Sequence, residues 1–234
     1  MEILTTRRSL LAGFVAGLTA VRVARPQSSG ASPVFPADYS LRFTAESAGQ
    51  AAGDHRLTVQ RNGRSGYLTV RSESRLLLPD RARSGDLTAP LAFEHFAEET
   101  WASGWLQGLV SDSRIGPRRH QVRAWRQGRA LRGVRDGQAF ALSGYLMTAS
   151  GWHRDTPLAD GLVDAVDGKI KRIHGLKRAS EQIQTGWGSV DATRWTLVGE
   201  LDRELWYDAE GRLIRFALPA PSGIAVTATA QQIH

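Results

Sequence analysis

Along most of the chain apolar and polar residues alternate at every second position, the period of a strand with one face against a core. Tyr39, Leu41, Phe43 and Ala45 trade places with Ser40, Arg42, Thr44 and Glu46. Runs at 55–60 and 67–74 flank Asn62-Gly63, a pair suited to the positive φ angles of a tight turn, so they predict a hairpin. Residues 79–90, with their Pro, Gly and Asp, read as a loop. From 91 to 101 the alternation resumes, with His95 and Glu99 in phase with Leu91, Phe93, Ala97 and Trp101, and Glu94 and Glu98 on the other face. Further strands are predicted near 105–111, 120–125, 131–134 and 140–142, then near 170–174, 181–185, 194–198, 204–207, 213–217 and 224–230. Ile115-Gly116-Pro117, Gln127-Gly128 and Asp136-Gly137 separate neighbours by hairpin lengths, which implies antiparallel pairing. Residues 144–168 lose the period, and a short helix or an irregular crossover is expected there. The pattern is that of an all-β, mainly antiparallel domain over residues 38–234.

The first segment follows different rules. Arg7 and Arg8 precede an apolar run from Leu10 to Val21, too short for the roughly 20 residues of a membrane-spanning helix. A basic start, a short apolar stretch and small residues afterwards make a bacterial export signal, and Thr6-Arg7-Arg8-Ser9-Leu10-Leu11 resembles the twin-arginine pattern. Residues 1–31 are therefore expected to be a twin-arginine-type signal, with cleavage between Val21 and Ser32, and residues 32–37 a disordered N-terminus. The expected location is periplasmic or secreted, with the twin-arginine translocase as the partner in export.

Composition narrows the chemistry. The 234 residues are 41% hydrophobic and 23% charged, as in a soluble globular protein, and hold no Cys. That removes thiolate catalysis, Cys-ligated zinc, iron–sulfur clusters and disulfides. The formal charge is +7 and falls to +4 without residues 1–31. Of the 30 basic residues only Lys169, Lys171 and Lys177 are lysine, a ratio that codon bias alone can produce. For an exported protein nucleic acid is not expected as a partner.

The six histidines form no His-x-His or His-x3-His pair, so no metal is expected. There is no Gly-x-Ser-x-Gly elbow, Ser-x-x-Lys pair or Gly-rich phosphate loop, so neither catalytic residues nor a cofactor are predicted. Eight arginines and no acid lie between Arg114 and Arg135, among them Arg118, Arg119, Arg123 and Arg126, a run suited to an anionic membrane surface or an acidic envelope protein. Seven tryptophans are present. Trp101, Trp195 and Trp206 fall in regular strands and read as core, whereas Trp152 and Trp187 stand beside glycines in irregular segments, where a ring can line the mouth of a ligand cavity.

The segment 204–216, with Trp206-Tyr207-Asp208-Ala209-Glu210-Gly211-Arg212-Leu213, reads as strand, Asp-x-x-Gly turn and strand, with Trp206 and Leu213 packed across the hairpin. Together with Gly53-Asp54-His55-Arg56, Glu99-Thr100-Trp101 with Leu106, and Ala149-Ser150-Gly151-Trp152, it resembles the secreted bacterial family catalogued as domain of unknown function 6134, over about residues 38–232. The resemblance implies a strongly curved sheet or incomplete β-barrel like those of the periplasmic lipoprotein carriers, and brings no activity with it. This chain departs from the family's Ser-x-Trp-Asn signature, since His153 follows Trp152.

These expectations converge on an exported, non-enzymatic binding protein that holds a lipid or apolar small molecule in a curved sheet, with Trp152 and Trp187 near its mouth. The alternatives are an envelope enzyme whose Glu99, His95 and His153 meet across strands, and a structural partner protein that uses the arginine face.

Overall fold

The computed structural model describes residues 22–23, 38–63, 66–79, 90–219 and 225–234. Arg7, Arg8 and nearly all of the predicted signal, the 32–37 segment and most of the 79–90 loop lie outside these residues. Strands dominate: β1 (Arg22–Val23), β2 (Tyr39–Ser47), β3 (Gln50–Asn62), β4 (Tyr67–Leu78), β5 (Leu91–Ala102), β6 (Trp105–Ile115), β7 (Arg118–Gln127), β8 (Ala130–Arg135) and β9 (Gln138–Gly144) come first. The short β10 (Met147–Thr148) and β11 (Gly161–Val163) flank a single 3-10 turn at Thr156–Leu158. β12 (Ile170–Thr185), β13 (Gly188–Gly199), β14 (Arg203–Tyr207), β15 (Leu213–Leu218) and β16 (Val226–Ile233) complete the chain.

All sixteen strands of the described residues join one open sheet, in the order β1-β9-β8-β7-β6-β5-β4-β3-β2-β16-β15-β14-β13-β12-β11-β10. Pairing is antiparallel except where β1 meets β9 and β10 meets β11. The expected all-β, mainly antiparallel sheet that does not close into a full barrel is therefore what forms. Three of its hairpins turn on two residues that both have positive φ, Ala48-Gly49, Ser103-Gly104 and Asp136-Gly137, the mirror-image turns whose twist matches that of the strands. The β3–β4 hairpin is where the pattern put it. Its last pair is Asn62 with Tyr67, however, so four residues close it rather than Asn62-Gly63 alone.

The main core lies on one face of this sheet. It is filled from the strands by Leu41, Phe43, Leu57, Val70, Trp101, Leu109 and Leu205, and from the irregular segment by Leu146, Met147, Trp152, Leu162 and Val163. That segment, residues 145–168, crosses the interior and is tied to both walls. Tyr207 Oη donates to the Gly151 carbonyl at 2.8 Å, Ser111 Oγ to the Ala165 carbonyl, and Arg203 Nη1 to the Ala149 carbonyl. The 3-10 turn with its Pro157 is all that comes of the expected helix, because the tail of the segment pairs as β11 instead.

A second, smaller core sits on the opposite face. Consecutive strand residues point to opposite sides, so Leu205, Tyr207 and Leu213 join the main core while Trp206 and Ile214 pack outside with Ile183, Ala192 and Ala217. Trp206 and Leu213 thus do not pack across their hairpin; Tyr207 stands opposite Leu213. What covers Trp206 is the outer half of the β12–β13 hairpin. Register slips between Lys177 and Ser180, β13 leaves β14 beyond Thr193, and the hairpin tip reaches β16, where the Gly186 amide donates to the Ala230 carbonyl at 3.2 Å. A Cβ on Gly186 would stand 2.0 Å from the Gln231 carbonyl oxygen, so this approach needs glycine.

Trp206 is 5% exposed, donates from Nε1 to Glu181 at 2.6 Å and carries the Arg194 and Arg215 guanidinium groups against its ring. Trp206→Ala removes the centre of the outer core and is expected to cost about 3–5 kcal/mol in denaturant unfolding. A loss below about 1 kcal/mol would mean that the outer half of the hairpin does not cover the ring.

Candidate functional site

In the inward phase of β3 to β6 the apolar residues give way, toward one end of each strand, to polar ones. His55 is in phase with Leu57 and Val59, Ser74 with Val70, His95 with Ala97, and Ser113 with Leu109. Strand register sets them side by side in one row, Phe43, His55, Ser74, His95 and Ser113, one residue per strand from β2 to β6. Each histidine is held by a serine, His55 Nδ1 lying 2.8 Å from Ser74 Oγ and His95 Nδ1 lying 2.8 Å from Ser113 Oγ. The His55 ring is wedged edge-on against Phe43 and Phe216, with centroids 5.2 and 5.0 Å away.

The row borders a cavity of about 80 Å³ between the β3–β5 wall and the β14–β15 wall. Ser72, Arg203 and Phe216 line it from the strands, and Ser150 and Asp164 from the crossing segment. His55 Nε2 and Arg203 Nε are buried without a hydrogen-bonding partner, so a buried donor or acceptor is left to satisfy on each wall. Burial pushes both imidazoles far below their ordinary value, His55 to about 3, where the charges of His95 and Arg203 add to the effect, and His95 to about 4, again with Arg203 contributing. Both rings are neutral at pH 7. Burial also lowers the Arg203 guanidinium, against the raising influence of Asp164.

Glu99 stands one layer deeper, 1% exposed. Its Oε2 accepts from Trp101 Nε1 at 2.9 Å, Trp152 Nε1 at 3.1 Å and Thr148 Oγ1 at 2.8 Å, while Oε1 has no partner. Burial raises this carboxyl above the usual carboxylate range, and the donors from Ser150, Thr148, Trp101 and Trp152 pull the other way.

These placements revise several expectations. Trp152 is fully buried against Trp101, their centroids 5.4 Å apart, and anchors the crossing segment rather than lining a mouth. Trp187, 38% exposed, belongs to the remote tip of the β12–β13 hairpin. Of the proposed enzyme trio, His95 borders the cavity and Glu99 lies behind it. His153 Nδ1 instead accepts from the Asp155 amide at 3.2 Å within the crossing segment. The arginine run does not share one face. Arg119 is bound to Asp112 through Nε at 2.9 Å, and Arg126 turns in to donate to the Leu106 carbonyl at 2.6 Å over the Trp105 ring. Arg118 and Arg123 remain exposed. No acid lies within the run, yet Asp112 from β6 and Asp136 from the β8–β9 turn reach it, the one at Arg119 and the other at the Gln121 amide. Among the described residues no three His, Asp or Glu side chains are grouped to hold a metal ion.

The serine–histidine contacts raise the question of nucleophilic catalysis. A general base works best with a pKa near the operating pH, and imidazoles at about 3 and 4 are weak bases at neutrality. Among the described residues neither ring is paired with a carboxylate; the partner of each Nδ1 is a serine hydroxyl. Missed by sequence reading were His55, Ser74, Ser113 and Arg203; polar residues occupying the buried phase of successive strands are the signal that could have found them.

A family model described as Domain of unknown function (DUF6134) matches residues 43–231. A search of curated proteins finds no match. Among solved structures the chain is similar to a protein of Parabacteroides distasonis ATCC 8503 described as a "putative lipoprotein", with 10% identity and a TM-score of 0.36 over 86% of this chain and 97% of that one, too distant a likeness to carry an argument.

Both histidines titrate lower in the folded state than in the unfolded chain, so the stability they contribute is present above about pH 6.5 and is lost as pH falls toward 4 and then 3. Glu99 works in the opposite sense, its contribution fading as pH rises. Wild-type denaturant stability should therefore drop between pH 7 and 4.5 more steeply than that of His55→Asn and His95→Asn, each imidazole adding a slope of up to about 1.4 kcal/mol per pH unit. Equal slopes in all three proteins would show that the rings are not buried neutral.

Proposed function

The chain belongs to this family of unknown function, and from that premise we propose that it is an exported, non-enzymatic binding module that takes a small carboxylate into the cavity between the histidine–serine row and Arg203. Export is supported by Arg7, Arg8 and the short apolar run after them. The lipid or apolar ligand expected from a curved sheet needs an uncovered concave face, and residues 145–168 cover it with Leu146, Met147, Trp152, Leu162 and Val163. The space left against the crossing segment is small, about 80 Å³, and its lining sets a few polar groups, among them His55, His95 and Arg203, between apolar side chains such as Phe93, Leu205 and Phe216. The observation that carries the reading is the pair of unpartnered buried nitrogens, His55 Nε2 and Arg203 Nε, on opposite walls of that space. When Ser74 donates to Nδ1 of the neutral His55 ring, Nε2 carries the proton and becomes a donor. A carboxylate accepting from it and from the guanidinium satisfies both, and charge-assisted bonds of this kind are about twice as strong as neutral ones.

Sodium acetate is the probe. At pH 7 and constant ionic strength, acetate should raise the thermal unfolding midpoint above that in chloride, since a ligand at 100 times its Kd adds about 2.7 kcal/mol to stability. His55→Asn and Arg203→Lys should each lose most of the acetate-specific rise. A rise that is the same in chloride, or that persists in both variants, would overturn the reading.

A further inference from the structure

The outer face of the sheet near the β1–β9 edge carries a small surface of a different kind. Side chains that alternate outward from β7 and β8 are set in register as two pairs, Arg123 opposite Val134 and Trp125 opposite Arg132. All four are exposed, Trp125 at 55% and Val134 at 47%. The flanking outward positions are uncharged: Val110 and Gly108 on β6, Ala139 and Ala141 on β9. The nearest outward acids are already taken: Asp112, the next outward position on β6, by Arg119, and Glu98, one strand further on β5, by Arg71 at 2.7 Å. Positive charge here is thus not cancelled by a facing acid. The two apolar side chains are interleaved with the cations rather than set apart from them.

We propose that this quartet, Trp125, Val134, Arg123 and Arg132, rests the protein on an anionic lipid surface. An indole with an apolar body and a polar N–H is suited to the level of lipid headgroups, and guanidinium groups beside it meet the phosphates. Each cation near such a surface contributes about a fivefold gain in binding. The contact needs only an exposed face, which the sheet supplies without rearrangement. Of the arginines in the 114–135 run, Arg119 and Arg126 take no part, being committed to Asp112 and to the Leu106 carbonyl. This role is independent of the internal cavity, which opens on the other face of the sheet.

The test is vesicle co-sedimentation of the protein as exported, with vesicles of phosphatidylglycerol and phosphatidylcholine against vesicles of phosphatidylcholine alone. The wild type should bind the anionic vesicles and release as salt is raised, because screening shortens to about 3 Å at 1 M. Arg123→Gln with Arg132→Gln should weaken binding about fivefold for each charge removed. Trp125→Ala should weaken it while leaving its salt dependence unchanged, and unfolding midpoints should confirm that both variants are folded. Binding by both variants within twofold of wild type would overturn the proposal. So would equal binding to phosphatidylcholine alone, or attachment to a soluble anionic polymer without attachment to vesicles.

Discussion

A sheet this strongly curved has a concave face that must be covered, and this chain covers it with itself. The fastening point is the Glu99 carboxyl, which gathers the indole N–H groups of Trp101 and Trp152 and the Thr148 hydroxyl on one oxygen. A buried carboxyl without donors would be very costly. With them, it fixes the crossing segment to β5 at one place and leaves the segment no second seat. Around that point the backbone carbonyls of Ala149, Gly151 and Ala165, which have no strand partners of their own, are taken up by Arg203, Tyr207 and Ser111 from the walls. Irregular backbone is tolerated in the interior because the strands send polar side chains to meet it.

The cavity follows from this arrangement. Where the segment turns away from the wall, the inward row changes from apolar residues to His55, Ser74, His95 and Ser113, and the unpartnered His55 Nε2 and Arg203 Nε stand where the segment does not reach. Two imidazoles kept neutral by burial weaken the protein toward acid, and an arginine lined up with a cavity gives up hydration. Such costs are typical of binding sites.

The strands were legible from sequence because a half-buried sheet writes its period into every second residue. Glu99 in phase with Ala97 and Trp101 was readable as inward, and so was His95. The row to which His95 belongs was not readable, since it exists only in the register between strands, and the periodicity of one strand says nothing about which residue of the next stands opposite. Residues 144–168 announced themselves by losing the period. Their destination stayed hidden for the same reason: a segment without a period does not declare a face, and so a fully buried Trp152 beside Gly151 read as a ring at a mouth. The arginine run failed in another way. Counting charges between Arg114 and Arg135 overlooked Asp112 and Asp136, which flank the run at its two ends and are folded back by the hairpins onto Arg119 and the Gln121 amide.

If the concave face is permanently covered, the crossing segment must open only when the whole sheet does. Native-state amide hydrogen exchange reads this directly at Ala149, whose N–H is bonded to the Val163 carbonyl, and at Ile173, bonded to the Asp160 carbonyl. Their opening free energies should equal those of strand amides such as Leu57 and Val70, all at the global unfolding value. Exchange of Ala149 and Ile173 through a much lower opening energy, with Leu57 and Val70 still protected, would make the segment a lid over an accessible concavity and would contradict the account.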